Sequence, residues 1–358
     1  LDMPMTLQFP DGLGLKFAEW PTPLDALGGI LQARGWSLGD KWSLLRAALC
    51  WKLQGFDCAD TLSVTELCRH LTPRIKAELI DPLCVSALNT PPEQASAQVF
   101  LRVMRDALFG VPGGSRLLLP RVDLSALFPD AATSWVLKRG GLLSLGQRVG
   151  SIQPHGQRWL VQEELFDTVM LATSAPHAAQ VISASTQDAP PSLSDAMQHW
   201  LATTLALQHE AIATVYAWAP QASLPQAMLA LRSSAQYPAQ FVFDRGQLGG
   251  PAGLLAFVVS AAQGERATLQ AQVLAQARAQ LGLALQPVQT LVEKRATFAC
   301  TPGLQRPPIA IAPGLLACGD YVAGPYPATL EGAVRSGWAV VALLGADAAS
   351  AVSVKMQP

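Results

Sequence analysis

The residues best placed to do chemistry lie in one stretch near the C-terminus, Gly314-Leu315-Leu316-Ala317-Cys318-Gly319-Asp320-Tyr321-Val322-Ala323-Gly324-Pro325-Tyr326-Pro327-Ala328-Thr329-Leu330-Glu331-Gly332-Ala333-Val334-Arg335-Ser336-Gly337-Trp338. Its pattern reads as a strand, a Gly-Asp pair, a tight loop and a helix. A glycine at the strand end lets a ligand approach the backbone, and an aspartate beside it accepts hydrogen bonds from sugar-like hydroxyls. Thr329 has the residue type and position of a helix N-cap, while Gly332, Ala333, Ser336 and Gly337 leave one helix face flat enough for a bulky group. The N–H groups and positive dipole end around Ala328 to Leu330 would stabilise negative charge on a ring carbonyl. A Gly-Asp turn ahead of a small-residue packing helix is the alternative that the pattern alone leaves open.

Such a loop needs a sheet and helices to hold it. Strands are expected over 142–145, 149–152, 159–161 and 168–173, the last a continuous apolar run of the kind buried on both faces of a sheet. That run ends in small residues, Ala172-Thr173-Ser174-Ala175-Pro176. A second strand-rich block covers 211–218, 227–231, 240–243 and 254–260, and a helix follows with Leu269, Val273, Ala277 and Leu281 on one face. Residues 20–110 read as helices: Trp42, Leu45, Leu49 and Leu53 recur at helical spacing, as do Val99, Val103, Met104, Ala107 and Leu108, and core packing is expected of most of them. Between these stripes Asn89-Thr90-Pro91-Pro92 ends an apolar run, and Gly110-Val111-Pro112-Gly113-Gly114-Ser115 forms a glycine-proline loop. This order is not a plain βαβ array; it predicts a mixed α/β protein with two interleaved domains.

Composition removes several classes of function. At 358 residues the chain exceeds the roughly 250 to 300 at which one core stops growing. A net charge of −1 with scattered basic residues gives no electrostatic footprint for a nucleic acid. Six cysteines form no C-x-x-C pair and five histidines never fall at metal-ligand spacing, so reduced thiols and no bound metal are expected. Half of the residues are apolar and only 14% charged, which suggests a greasy substrate surface or membrane contact. No apolar stretch reaches the roughly 20 residues that span a bilayer, the tail after Trp338 being interrupted by Asp347.

The 314–338 string as a whole resembles the C-terminal flavin motif of the flavin amine-oxidase and carotenoid-desaturase superfamily. Pro82-Leu83-Cys84, Ala87-Leu88-Asn89-Thr90-Pro91, Ala95-Ser96-Ala97, Phe100 and Arg105-Asp106 are similar to the substrate-domain signature of squalene-associated FAD enzymes, the hydroxysqualene dehydroxylases. Glu293-Lys294-Arg295-Ala296-Thr297-Phe298 resembles their strand re-entering the flavin domain. The resemblance spans nearly the whole chain and implies a truncated, Rossmann-like FAD domain interleaved with a helix-plus-antiparallel-sheet substrate domain. Its expected segments are 1–132 and 183–300 for the substrate domain, 133–182 and 301–358 for the FAD domain. It further implies that Val149 meets the adenine end of FAD through its backbone. Ala172, Thr173, Gly319, Asp320, Tyr326, Pro327, Ala328, Thr329 and Gly332 complete the implied cofactor-binding set.

One part of the family pattern is missing. Dinucleotide-binding folds open with a strand and G-x-G-x-x-G, because a diphosphate needs bare backbone at a helix N-terminus. Gly12-Leu13-Gly14 lacks the third glycine, 110–114 follows a helix, and 246–253 has the wrong order. The chain is therefore expected to begin at the substrate domain, after that segment.

The activity implied is reduction of hydroxysqualene to squalene, supplying hopanoid or sterol precursors. A polyene desaturase, an amine oxidase with an aromatic cage drawn from Trp218, Tyr237 and Trp338, and a non-catalytic subunit needing a partner are the alternatives. No single general acid stands out among Asp106, Glu331, Tyr326 and Lys294. A squalene-type lipid substrate implies a cytoplasmic protein or one peripheral on the inner face of the membrane. Trp36, Trp42 and Trp51 with Lys41, Arg46 and Lys52 are candidates for an interfacial patch, although core packing explains the tryptophans equally well.

Overall fold

The computed structural model describes residues 1–20, 24–107, 113–187 and 189–345, together with the helical backbone of 108 and 346–355. Gly110, Val111 and Pro112 of the expected glycine-proline loop, and the side chain of Asp347, lie outside the described residues. In chain order come helices α1 (Leu24–Gln32), α2 (Leu38–Leu53), α3 (Asp81–Leu88) and α4 (Ala97–Leu108). Strands β1 (Gln153–His155), β2 (Arg158–Val161), β3 (Glu164–Phe166) and β4 (Val169–Leu171) precede α5 (Ala175–Ser185) and α6 (Pro191–Leu205). Then follow β5 (His209–Trp218), β6 (Met228–Ala230), β7 (Phe241–Asp244), β8 (Leu254–Ser260), α7 (Arg266–Leu281) and β9 (Gln286–Phe298). Last come β10 (Ala310–Ala312), β11 (Leu315–Ala317) and α8 (Leu330–Lys355), with short strands, helical turns and a ten-residue helix over Pro129–Lys138 in the intervals.

Two compact units emerge, Leu1–Leu143 with His209–Gly303, and Ser144–Gln208 with Leu304–Pro358. The changeovers thus fall after 143, 208 and 303, against 132, 182 and 300 in the division proposed from the sequence.

In the first unit an antiparallel sheet of order β6-β7-β8-β5-β9 packs on α7. Period-two alternation explains the packing: Ala213, Val215 and Ala217 on β5 and Leu255, Phe257 and Val259 on β8 point at Leu269, Val273 and Ala277 of the helix. The opposite face presents Ile212, Thr214, Tyr216 and Trp218, half-buried, with Val258 and Leu291 flanking Thr214 across the strands.

Asn89 ties α3 to this sheet. It ends the helix in the left-handed region, φ 47°, which asparagine tolerates. Its Nδ2 donates to Thr297 Oγ1 at 2.9 Å and to the Glu210 carbonyl at 3.4 Å, and its Oδ1 accepts from the Ala261 N–H at 2.6 Å. Thr90 Oγ1 then accepts from the Cys300 N–H, and the Ser96 N–H donates to the Cys300 carbonyl. The Asn-Thr-Pro-Pro turn is accordingly an internal brace.

Three expectations are corrected. The α2 stripe does not pack in the core, because Leu44 and Trp51 on the other side of the helix do, leaving Trp42, Leu49 and Leu53 at 68%, 58% and 79% exposure. Residues 142–145 and 149–152 are coil rather than strand, with Leu142 93% exposed. An apolar run becomes a strand only where a neighbour supplies ladder hydrogen bonds, and β1, β2 and β3 pair among themselves instead. The expected doubly buried strand, β4, lies at one end of its sheet with Met170 37% exposed.

Candidate functional site

The site grows from a parallel strand pair in the second unit. In the sheet of order β10-β11-β4, Leu315, Leu316 and Ala317 pair in parallel with Val169, Met170 and Leu171. Both strands therefore release their chains at the same sheet edge, the place where open α/β sheets bind ligands. From β4 the chain passes through Ala172 and Thr173 into α5, and from β11 it passes through Cys318, Gly319 and Asp320 into the loop before α8. The Cys318 N–H donates to the Leu171 carbonyl at 3.0 Å, carrying the pairing one residue further.

Gly319 is required by packing. A β-carbon there would lie 2.6 Å from the Tyr321 ring, and 3.6 Å from the Thr173 carbonyl oxygen. Its N–H donates to Ser336 Oγ at 2.9 Å, which in turn donates to the Ala333 carbonyl, so the end of β11 is fastened to the second turn of α8. Arg306 fastens the loop itself, donating to the carbonyls of Val322, at 2.8 Å, and Gly324. Nothing in the sequence pattern singled out Arg306, since its role depends on a chain crossing far from the motif.

The entry into α8 is built as the residue types suggest. Thr329 Oγ1 accepts from the Gly332 N–H at 3.0 Å and donates to the Tyr326 carbonyl at 2.9 Å. Ala328 adopts φ 56° and donates its N–H to the Asp320 carbonyl at 3.2 Å. That conformation costs about 1 kcal/mol or more for a residue with a β-carbon. A β-carbon on Gly332 would stand 2.0 Å from the Tyr326 oxygen, so Gly332 sets how closely the loop folds over the helix. The N–H groups of Leu330 and Glu331 have no intrahelical acceptor by geometry, and Leu330 is 74% exposed. An anion or ring carbonyl placed here meets two N–H groups and a positive dipole end.

Beside the strand ends lies a cavity of about 550 Å³ lined by Val149, Gly150, the whole of β4, Ala172, Thr173 and His177 among others. Arg148 donates to Gln180 Oε1 at 2.9 Å and the Ile152 N–H to Ser185 Oγ at 2.8 Å, which holds 148–152 against α5. Val149, Ala172 and Thr173 thus share the cavity, while Gly319, Asp320, Tyr326, Pro327, Ala328, Thr329 and Gly332 share the loop. The two groups meet at Thr173 and Gly319.

The candidate acids are less suggestive. Glu331 pairs with Arg335 at 2.5 Å on the surface, and the same guanidinium lies 4.9 Å over the Tyr326 ring. Asp106 pairs with Arg105 at 2.8 Å, and Lys294 is exposed on β9; both belong to the first unit. A carboxyl that sequence pattern did not single out as an acid is Asp81, which burial and then the charge of Glu93 push up to about 6 from 3.8, Lys76 opposing. In the second unit Tyr321 is buried against Trp200 with no hydrogen-bond partner for its hydroxyl, and burial pushes its phenol up.

A model of the flavin containing amine oxidoreductases matches residues 9–344. The chain belongs to that family. FAD is thereby its cofactor, as the loop motif suggested. Among relatives of this chain, hydroxysqualene dehydroxylase of Rhodopseudomonas palustris is 29% identical over 276 residues, covering 72% of this chain and 60% of that protein. The chain thus spans less than two thirds of that relative's length.

Of solved structures, an oxidoreductase from Methanosarcina mazei superposes with TM-score 0.64 at 14% identity, over 86% of this chain and 73% of that one. Cyclohexylamine oxidase from Brevibacterium oxydans gives 0.62 at 13%, over 97% and 82%. These likenesses establish the FAD-dependent amine-oxidase fold. Tested against that cofactor, Asp320 and the α8 entry have the chemistry that would suit a hydroxylated chain and a ring, and the Val149 cavity has room that would suit a nucleobase. The chain offers no G-x-G-x-x-G backbone for a diphosphate among its 358 residues.

Proposed function

We propose that this chain acts as an FAD-dependent oxidoreductase on a squalene-type isoprenoid, most specifically in the reductive dehydroxylation of hydroxysqualene to squalene. The observation that carries the flavin assignment is the convergence of Gly319, Asp320 and the capped start of α8 on the end of the parallel pair β4 and β11. The likeness to a hydroxysqualene dehydroxylase supports the substrate class. The sheet face of Ile212, Thr214, Tyr216 and Val258, half-buried, and the exposed Leu291 beside them support an apolar substrate.

When bound, the flavin supplies the electron pair that the substrate carbon receives. The chain's own contribution is to bind and orient that group. Asp320 would accept from cofactor hydroxyls, and the N–H groups of Leu330 and Glu331 would stabilise charge on the ring carbonyl. Loss of the substrate hydroxyl as water also takes up a proton, and none of the candidate acids is assigned to deliver it. A substrate of this kind resides in a bilayer, so peripheral membrane contact belongs to the same reading.

A second reading is favoured by two observations: the missing glycine fingerprint and the position of β4 at the end of its sheet. In it the chain holds FAD only together with a partner chain that supplies the diphosphate-binding backbone. Titrating the purified chain with FAD and following flavin fluorescence separates the two. Quenching by the chain alone supports self-sufficient binding, and quenching only after a G-x-G-x-x-G partner is added supports the second. A flavin-loaded protein that leaves hydroxysqualene unchanged under reducing conditions, while desaturating a polyene or oxidising an amine, would replace the substrate assignment.

A further inference from the structure

Helix α2 carries apolar side chains on both sides, and only one side is used by the fold. Asp40, Leu44 and Trp51 face inward and are buried. Leu38, Trp42, Leu45, Leu49 and Leu53 follow one another at intervals of three and four residues on the outer side, four of them at 86%, 68%, 58% and 79% exposure. At 3.6 residues per turn these five occupy an arc of about 80°. Lys41 and Lys52 border that arc on one side and Arg46 on the other. The single acid of α2, Asp40, is spent inside: it closes the capping box with Ser37 and accepts from Thr72 Oγ1 at 2.6 Å, so no carboxylate faces outward from the helix.

The patch extends onto α1. Lys41 Nζ donates to the Leu31 carbonyl at 2.7 Å, drawing the end of α1 beside the stripe. Leu24, Leu27 and Leu31, spaced on one face of α1, are 53%, 41% and 53% exposed. A groove of about 650 Å³ opens on the Arg46 side, its lining of mixed charge, with Arg46, Arg69 and His70 but also Asp57 and Glu66.

We propose that the outer face of α2, with the adjoining face of α1, docks on an anionic lipid bilayer, the apolar arc entering the acyl boundary and Lys41, Arg46 and Lys52 reaching phosphate headgroups. An apolar arc bordered on both sides by long-stemmed cations and carrying no outward acid is complementary to an anionic headgroup layer. A protein partner of mixed surface charge would not require the same one-signed border. The inference gives a location to the membrane contact that the functional reading includes. It is argued from the exposed face alone, so its failure leaves the flavin and the substrate class untouched.

The test is co-sedimentation of the full chain with phosphatidylcholine vesicles, with and without phosphatidylglycerol. The chain should partition onto the mixed vesicles, weakly onto the neutral ones, and less as salt rises. The triple variant L38S/L49S/L53S should lose partitioning by roughly tenfold or more while keeping the circular dichroism and melting of the parent, since none of the three is buried. The pair R46Q/K52Q should lose only the phosphatidylglycerol-dependent part. Trp42 should shift its emission to the blue on binding. Absence of binding to either vesicle, or a triple variant that binds like the parent, overturns the proposal. So does a triple variant that converts a dimer to a monomer without altering vesicle binding, which would assign the face to a second copy.

Discussion

At the scale of single residues, the loop between β11 and α8 makes separable demands. Asp320 is proposed to accept from cofactor hydroxyls, so Asp320→Ala should weaken FAD binding by about tenfold or more, the worth of a charge-assisted hydrogen bond or two, and a fluorescence titration checks it. Gly332→Ala should cost both affinity and stability, roughly 1 to 3 kcal/mol, because a β-carbon 2.0 Å from the Tyr326 oxygen forces the loop off the helix. Asp81 tests the electrostatics of the other unit. Its carboxyl, pushed up to about 6 by burial and the charge of Glu93, binds its proton more tightly folded than unfolded, so stability falls as pH rises from about 4 to 6. Asp81→Asn should leave stability at pH 4 unchanged and raise it at pH 7 by about 1 kcal/mol, a figure discounted because the group is only half-buried; denaturant melts at the two pH values check it. Sequence reading found the loop because Gly-Asp and Pro-x-Thr lie close together in the chain. It could not find Arg306 or the elevated Asp81, since both depend on neighbours brought up by folding.

At the scale of elements, the brace at Asn89 shows what a linear motif hides. The segment that resembled a substrate-domain signature spends its asparagine on the backbone of β5, the residue following β8, and the Thr297 hydroxyl of β9. Asn89→Ala should therefore cost about 2 to 4 kcal/mol through lost hydrogen bonds and a disfavoured left-handed residue, and urea unfolding would show it as a lower midpoint with an unchanged slope. Helix and strand positions in 209–298 were legible because alternation and the 3.6 period act locally. The inward face of α2 was not legible, because Leu44 and Trp51 compete with an equally apolar stripe, and only tertiary contacts decide which one is buried. Residues 142–152 misled for a related reason: their apolar character is real, and among the described residues no strand pairs with them.

At the scale of the whole molecule, the chain crosses between its two units three times, after 143, 208 and 303, and every residue of the proposed flavin locus falls in the second of them. Val149, Ala172 and Thr173 come from its first stretch and Gly319 to Gly332 from its last, so the locus exists only when the parallel pairing of β4 with β11 has brought together strands whose partnered residues, such as Val169 and Leu315, lie 146 positions apart. A ligand that binds there stabilises the folded form of that unit by mass action, about 2.7 kcal/mol at a hundredfold excess over Kd, and slows exchange of the amides it covers. Saturating FAD should accordingly protect amides in 169–185 and 314–340 and leave those of the β5–β9 sheet in 209–298 unchanged, as hydrogen–deuterium exchange read by mass spectrometry would report. Protection appearing instead in 209–298 would move the cofactor onto the antiparallel sheet and take the helix-entry chemistry of Thr329 and Ala328 with it. Equal protection of both units would mean that flavin binding couples them, and the same experiment repeated on Asp320→Ala would show whether that coupling runs through the loop.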